Sequence, residues 1–274
     1  MILQNLHTHT RYGDGKNTPE EMVLGAIRAG CASLGFSEHS PLPPELDPDG
    51  WTMAENDMAR YRSEVLALRD KYAGKISLYL GLEQDMDSSV TEGPWDYRIG
   101  SVHGLHADGC YFSVDNTAAV LRDAVERCYG GDPMALAEAY YRKLSQVAEA
   151  TGCEIVGHFD LLTKFNEDGA FFDESSPRYR KAALEALDAL SGRGLIFEIN
   201  TGAISRGYRT APYPAPFLLR ELRRRGEAIC ITSDSHSADT ILFGSAQAAE
   251  LARSCGFTES MVLTEKGFFP QKLV

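Results

Sequence analysis

The chain has 274 residues, 43% of them hydrophobic, and a formal net charge of -12 at pH 7. This acidic balance argues against a broad surface for nucleic acid or anionic membrane, because such partners require clustered lysine and arginine. We expect a cytoplasmic protein, since no segment reads as a signal peptide or approaches the roughly 18 apolar residues that span a bilayer.

The first predicted elements alternate between strand and helix. The opening "MILQNLHTHT" predicts a strand, and "NTPEEMVLGAIRAG" predicts a helix that ends at Gly30. In that helix Thr18 and Glu21 have the spacing of a capping box, and Pro19 suits the first helical position. The pattern then predicts a buried strand in "CASLGFSEHS", a helix in "MARYRSEVLALRDKYAG" and a strand in "ISLYLGLEQD".

The same alternation continues to the C-terminal part of the chain. Further strands are predicted in "YRIGSVHG", "EIVGHFD", "LIFEINT" and "EAICITSDSH", and helices in "MALAEAYYRKLSQVAEATG", "YRKAALEALDALSGRG" and "APFLLRELRRRG". About seven strands separated by helices are typical of a parallel sheet covered by helices. We expect one domain over residues 1–274, with two long loops, 40–53 and 163–177, lying over one end of the fold.

Histidines and carboxylates recur at the carboxyl ends of these strands. Two residues apart on a strand, His7 and His9 point to the same side and are able to bind one ion from the same direction. Strand ends converge on one face of an α/β barrel, where active sites form. The candidates at or just past predicted strand ends are His7, His9, His39, Glu83, His103, His158, Asp234 and His236.

A single histidine at a strand end is more often a hydrogen-bonded cap than a metal ligand, but the set taken together predicts a metal site. Imidazole and carboxylate ligands suit Zn, Fe or Mn, and the lack of thiolates among the candidates disfavours a closed structural zinc site. His106, in "HGLHADG", is left open between a solvated loop residue and a substrate-facing one.

Six motifs in order, "HTHT", "SEHS", "GLEQD", "GSVHG", "GHFD" and "SDSH", resemble those of the polymerase and histidinol phosphatase (PHP) superfamily over essentially the whole chain. The resemblance implies a distorted (β/α)7 TIM-like barrel in the α/β class. It also implies a centre of two to three divalent transition-metal ions, of zinc, iron or manganese.

The resemblance assigns ligands to three ions by position. The first ion would be held by His7, His9, Glu83 and Asp234. Glu83 would bridge to a second ion that His103 and His158 also hold, and His39 and His236 would hold a third. Many relatives supply another histidine in the loop after the first motif, whereas "RYGDGKN" offers Asp14, which we expect to act as an oxygen ligand in its place.

Within the superfamily, "LHTHTRYGDGKNTPEEM" and "EINTGAISRGYRTAPYP" are similar to histidinol-phosphate phosphatases. The resemblance implies hydrolysis of the small substrate L-histidinol phosphate in histidine biosynthesis. The alternatives are a phosphatase of another small phosphoester, such as a nucleotide or sugar phosphate, and a PHP module without catalysis. Oligomeric state is left open.

Further residues have expected roles in that reaction. Glu83 is expected to be catalytic as the bridging ligand, and Asp234 or His236 lies nearest to the leaving group by motif. Arg206 and Lys164 follow strand ends and are expected to bind the substrate phosphate. His106 is kept as a third candidate for substrate contact, Arg209 as a weaker phosphate contact, and Asn200 as a residue supporting the ligands.

Overall fold

The computed structural model describes residues 3–89 and 93–273. Seven parallel strands form one sheet with the order β1-β2-β3-β4-β7-β8-β9. Their bounds are β1 Gln4–Asn5, β2 Ser33–His39, β3 Ser77–Asp85, β4 Tyr97–Ser101, β7 Ile155–Val156, β8 Ile196–Asn200 and β9 Ala228–Thr232. The predicted alternation of seven strands with helices is confirmed.

The other four strands form two antiparallel hairpins, β5 Gly104–Ala107 with β6 Cys110–Ser113 and β10 Glu259–Thr264 with β11 Gly267–Lys272. The helices are α1 Pro19–Arg28, α2 Met58–Lys71, α3 Ala118–Cys128, α4 Pro133–Leu144, α5 Val147–Thr151, α6 Pro177–Leu190, α7 Gly202–Ser205, α8 Pro216–Arg225 and α9 Ser245–Ser254. No helix within the described ranges is long and apolar enough to cross a membrane.

The sheet curls into a nearly closed barrel. Just beyond β1, Thr8 forms a parallel bridge with Ser235, which follows β9. Two backbone hydrogen bonds support this bridge: the amide of His9 donates to the carbonyl of Ser235 at 2.9 Å, and the amide of Ser235 donates to the carbonyl of His7 at 3.0 Å. The first and last strands therefore meet at the end that carries the histidines, and the distorted (β/α)7 barrel is confirmed.

Helix α1 begins as its sequence predicts. The Thr18 side chain accepts from the amide of Glu21, and the Glu21 carboxylate accepts from the amide of Thr18, which forms the capping box. Pro19 occupies the first helical position. The helix packs its buried face, which includes Met22 and Val23, against the strands in a core that it shares with α2.

Several elements differ from the predicted ones. The regular part of the first strand is shorter than "MILQNLHTHT", and Met1 and Ile2 of that prediction lie outside the described residues. The helix predicted from 134 to 152 is two helices, α4 and α5, separated at Ser145 and Gln146. The β5–β6 hairpin and α3, between β4 and β7, were not predicted.

The two predicted loops lie beside the carboxyl ends of the strands. Residues 40–53 contain no regular helix or strand, and 163–177 contains only short 3-10 turns before α6 begins. Asp49 and Trp51 of the first loop and Lys164 of the second line the same cavity. Strands β2 and β3 beneath them are almost wholly buried, which gives the ligand-bearing strand ends a rigid base.

Candidate metal centre and adjoining cavity

Glu83, near the end of β3, lies in the middle of a ring of imidazoles. Its Oε2 is 2.7 Å from His39 Nδ1 and 3.2 Å from His7 Nε2. Its Oε1 is 2.9 Å from His158 Nε2 and 3.2 Å from His103 Nε2. The two oxygens therefore face different histidines, which is the geometry that a bridging carboxylate requires.

A second group of donors lies where β1 and β9 meet. The Asp234 Oδ1 atom is 3.2 Å from His9 Nε2 and 3.7 Å from His7 Nε2. The same two imidazole nitrogens are 3.6 and 3.2 Å from Glu83 Oε2. His7 and His9 thus point to the same side, between the two carboxylates, as their spacing predicts.

A third group lies closer to solvent. Asp14 Oδ1 is 3.1 Å from His236 Nε2 and 3.7 Å from His39 Nε2. The His9 ring stacks between those two imidazoles, with centroids 4.1 Å from His39 and 4.3 Å from His236. Asp14, His39 and His236 therefore form a set with His9 whose donor atoms all lie within 4.8 Å of one another.

The donor atoms fit divalent metal ions because several of them are buried with no hydrogen-bond partner among the described residues. These are His7 Nε2, both ring nitrogens of His9 and Glu83 Oε2. Unpaired buried polar atoms are costly, and a coordinated cation satisfies them. Burial and the neighbouring His39 and His236 lower the pKa of His9, so its imidazole stays neutral with a lone pair available for an ion.

The carboxylates of the cluster are held in their ionised form. Burial alone would raise the pKa of Glu83, but the surrounding His7 and His39 outweigh it and leave that pKa well below the usual value. The same competition, with Arg206 as the main opposing charge, lowers the pKa of Asp234. Ionised carboxylates together with imidazole nitrogens are the donor types that Zn, Fe and Mn prefer.

Two further carboxylates orient the imidazoles, and sequence analysis missed both. Glu198 Oε1 is 2.6 Å from His7 Nδ1, and Glu198 Oε2 accepts from the backbone amide of His158 at 2.7 Å. Asp85 Oδ2 lies 2.9 Å from His103 Nδ1. Such contacts fix the tautomer and direction of a ligand. The available signals were an acid inside the apolar strand "LIFEIN" and a second acid after Glu83 in "GLEQD".

A cavity of about 360 Å³ opens above this cluster. Six of the nine predicted metal ligands line it: Asp14, His39, His103, His158, Asp234 and His236. The remaining lining residues include the basic side chains of Lys16, Lys164 and Arg206. A small anionic ligand thus has both the predicted metal ligands and positive side chains within one pocket.

Arg206 reaches from the end of α7 to the cluster. Its Nη1 donates to the carbonyl oxygen of Asp234 at 3.1 Å and lies 2.8 Å from His236 Nδ1, and its Nη2 donates to Asp234 Oδ2 at 3.0 Å. Despite burial, which opposes the charged form, Asp234 raises the pKa of Arg206. The guanidinium is therefore charged and fixed beside the donor atoms.

Lys164 also lines the cavity, but its ammonium is held by Asp115. Its Nζ donates to the Asp115 carbonyl at 2.7 Å and to Oδ2 at 3.2 Å, and it lies 4.8 Å from the centre of the Tyr208 ring. Although burial opposes ionisation, Lys164 lowers the pKa of Asp115 to about 2. The opposite charges of Lys164 and Asp115 therefore compensate each other.

The other candidates do not line the cavity. His106 is on strand β5, its side chain is 55% exposed and is 3.3 Å from Asp87 Oδ1, and it does not belong to the residues that line the cavity. The structure thus favours the solvated alternative for His106. Arg209 is buried against Thr163 and the Tyr213 ring. Asn200 donates to Glu198 at 3.0 Å and therefore supports a residue that orients the ligands.

Comparisons with known proteins agree on one family. The PHP domain profile matches residues 5–202. A Deinococcus radiodurans protein named "Probable histidinol-phosphatase" is 33% identical over 259 residues, which cover 91% of this chain and 92% of the relative. The "Histidinol-phosphatase" of Bacillus subtilis is 30% identical over 255 residues, which cover 86% and 94%.

Solved structures support the same fold. The histidinol phosphate phosphatase of Lactococcus lactis, crystallised with zinc, L-histidinol and phosphate, matches with a TM-score of 0.75 over 98% of this chain and 99% of its own. Its sequence identity is 22%, so this likeness concerns the fold.

Proposed function

The chain belongs to the PHP domain family, and on that premise we propose that it is a metal-dependent phosphomonoesterase that hydrolyses L-histidinol phosphate to L-histidinol and inorganic phosphate. The observation that supports the proposal is the convergence of nine histidine and carboxylate side chains, six of which line a cavity that also contains basic groups. The names of the two bacterial relatives support the substrate.

We propose the following side chains as metal ligands: His7, His9, Asp14, His39, Glu83, His103, His158, Asp234 and His236. Divalent ions bound there supply charge neutralisation for the phosphoryl group and an activated water. Glu83 holds the centre together, because each of its oxygens faces a different set of histidines. Glu198 and Asp85 keep the imidazoles of His7 and His103 turned towards it.

Arg206 is proposed to bind the substrate phosphate. Phosphoryl transfer depends mainly on positioning and charge stabilisation, and arginine provides both through its planar set of N–H donors. The contacts to Asp234 and His236 keep the guanidinium beside the donor atoms. Asp234 and His236 remain the proposed catalytic pair near the leaving group. The lowered pKa of Asp234 favours the carboxylate form and therefore a role for Asp234 other than proton donor.

The cavity also contains groups that suit a substrate with a cationic end. Its lining includes the Asp49 carboxylate, which lies outside the metal cluster, and the indole of Trp51. The Trp51 ring lies edge-on to His39 and His103, with centroids at 4.6 and 5.3 Å. An ammonium or imidazolium group gains charge complementarity from Asp49 and a cation–π contact from the indole. A sugar phosphate, whose sugar part is uncharged, would gain less binding free energy from these groups.

Phosphate release from a panel of substrates tests the function. Purified protein with zinc, iron or manganese should hydrolyse L-histidinol phosphate with a kcat/KM at least roughly 10²-fold above that for glucose 6-phosphate or AMP, a difference of about 2.7 kcal/mol in transition-state binding. A strong chelator should abolish the activity, and the metal should restore it. Preference for a sugar phosphate or a nucleotide would replace the proposed substrate, and undiminished turnover without metal would overturn the mechanism.

We also propose that residues 1–274 act as one domain in the cytoplasm, without nucleic-acid or membrane partners. The continuous seven-stranded barrel, with its first and last strands in contact, supports the single domain. The biosynthetic role implied by the relatives' names supports the location.

A further inference from the structure

Glu38 has a buried carboxyl group next to the metal centre that the proposed chemistry does not use. It directly precedes His39 in β2, and its Oε1 accepts a hydrogen bond from the backbone amide of Thr10 at 2.6 Å. Its Oε2 is buried without a hydrogen-bond partner among the described residues. Since Thr10 follows His9, this one contact links the strand ends that carry two of the proposed ligands, His9 and His39.

The carboxyl group of Glu38 lies directly beneath the turn at residues 10–15. The carbonyl of Thr10 accepts from the amides of Gly13 and Gly15 at 3.1 and 2.9 Å, which closes the turn. A Cβ atom added at Gly13 would lie 3.0 Å from Glu38 Oε2 and 3.1 Å from the carbonyl oxygen of Trp51. The close approach of the turn to Glu38 is therefore possible because residue 13 has no side chain.

Asp14 lies between the two glycines of this turn and has little else to fix it. Its side chain is 37% exposed, and its described polar contacts are those to His236 at 3.1 Å and His39 at 3.7 Å. An aspartate is also shorter than a histidine, so its backbone must come closer to an ion that it binds. The position of the turn backbone therefore decides whether Asp14 reaches that ion.

We propose that Glu38 is a positioning residue that anchors the turn at residues 10–15 and so presents the Asp14 carboxylate to the third metal ion. The proposal rests on the proposed metal centre, with Asp14 as a ligand, and not on the identity of the substrate. It makes Glu38 necessary for binding of the outermost ion, while the inner ions held around Glu83 do not depend on it.

Metal content per chain tests the proposal, with activity as a second measurement. Glu38→Leu removes the acceptor for the Thr10 amide at similar volume and should lower the content by about one ion, with kcat reduced at least about 10-fold and KM little changed. Glu38→Gln keeps an oxygen acceptor and should retain the ion. The matched control is Glu64→Gln, because Glu64 accepts from the Tyr12 hydroxyl of the same turn at 2.6 Å but does not contact its backbone.

A Glu38→Leu protein with the metal content of the parent would overturn the proposal, as would equal loss of the ion in the Glu64→Gln control. If Glu38→Leu fails to fold, Gly13→Ala provides the second test: the added Cβ would lie 3.0 Å from Glu38 Oε2 and 3.1 Å from the Trp51 carbonyl oxygen, so the turn and Glu38 must separate by a few tenths of an ångström, and we expect the release of one ion. Retention of every ion in Gly13→Ala would likewise contradict the proposal. A parent that binds its ions but does not hydrolyse L-histidinol phosphate would count against the proposed substrate alone.

Discussion

The ammonium of Lys164 lies 2.7 Å from the carbonyl oxygen and 3.2 Å from the carboxylate of Asp115, so its charge is already compensated within the cavity. Arg206, by comparison, contacts Asp234 and His236, which are themselves proposed metal ligands. Two basic residues that look equivalent in the sequence therefore differ in what they are able to offer a phosphate.

Arg206→Ala is expected to lower kcat/KM for L-histidinol phosphate by roughly 10²-fold, or about 2.7 kcal/mol. Lys164→Ala should lower the same kcat/KM by only about 10-fold. The reason is that Asp115 neutralises Lys164. Steady-state kinetics with metal content measured in parallel checks the order. A Lys164 variant more impaired than the Arg206 variant would reverse our assignment, and two fully active variants would mean that the phosphate binds elsewhere.

Glu83→Gln should be more damaging than His39→Ala, because Glu83 faces four other proposed ligands within 3.2 Å and His39 belongs to the edge of the cluster. We expect a loss of roughly 10³-fold or more in kcat for Glu83→Gln. The comparison requires both variants at equal metal content. If His39→Ala is equally inactive under that condition, Glu83 does not have the bridging role.

Asp14→Ala should lower the metal content by about one ion per chain and leave the ions around Glu83 in place. Elemental analysis of the purified variant measures this directly. The matched control is Asp49→Ala, which removes another carboxylate from the same cavity but none from the donor cluster. Unchanged metal content in Asp14→Ala would show that Asp14 is not a metal ligand and serves only in the Asp-Gly turn.

Glu198→Gln is expected to weaken binding of the ion at His7 by roughly 10- to 100-fold, because the carboxylate orients the His7 ring through a 2.6 Å contact. Titration with a competing chelator gives the affinity. The fold should persist, since the amide retains an oxygen that accepts from the backbone amide of His158. Parent-like affinity would show that the barrel alone fixes the direction of His7.

Local patterns in the sequence were sufficient to predict the elements that carry the site. Thr18 and Glu21 form the capping box that their spacing indicates, and His7 and His9 share one side of the barrel as period-two alternation requires. These features depend on neighbours within a few residues. The strand-end position of Glu83 also follows from the hydrophobic run that precedes it.

Contacts between distant parts of the chain could not be predicted in this way. Glu198 and His7 are 191 positions apart in the sequence, and Lys164 and Asp115 are 49 apart. Contacts over such separations produce no periodic pattern of residues in the sequence. The β5–β6 hairpin contains short strands of four residues whose pairing depends on a turn at Asp108 and Gly109, both with positive φ. Sequence patterns do not decide the role of His106 because its side chain projects from this hairpin, which they do not predict.

The bridge between Thr8 and Ser235 also has a consequence for the order of events during synthesis. The donor group where β1 and β9 meet takes its side chains from the two extremes of the barrel, His7 and His9 from the beginning and Asp234 from just after the last strand. A chain emerging from the ribosome therefore exposes its first histidines long before their carboxylate partner exists. The full ligand set of the centre is therefore available only after nearly the whole barrel has been made.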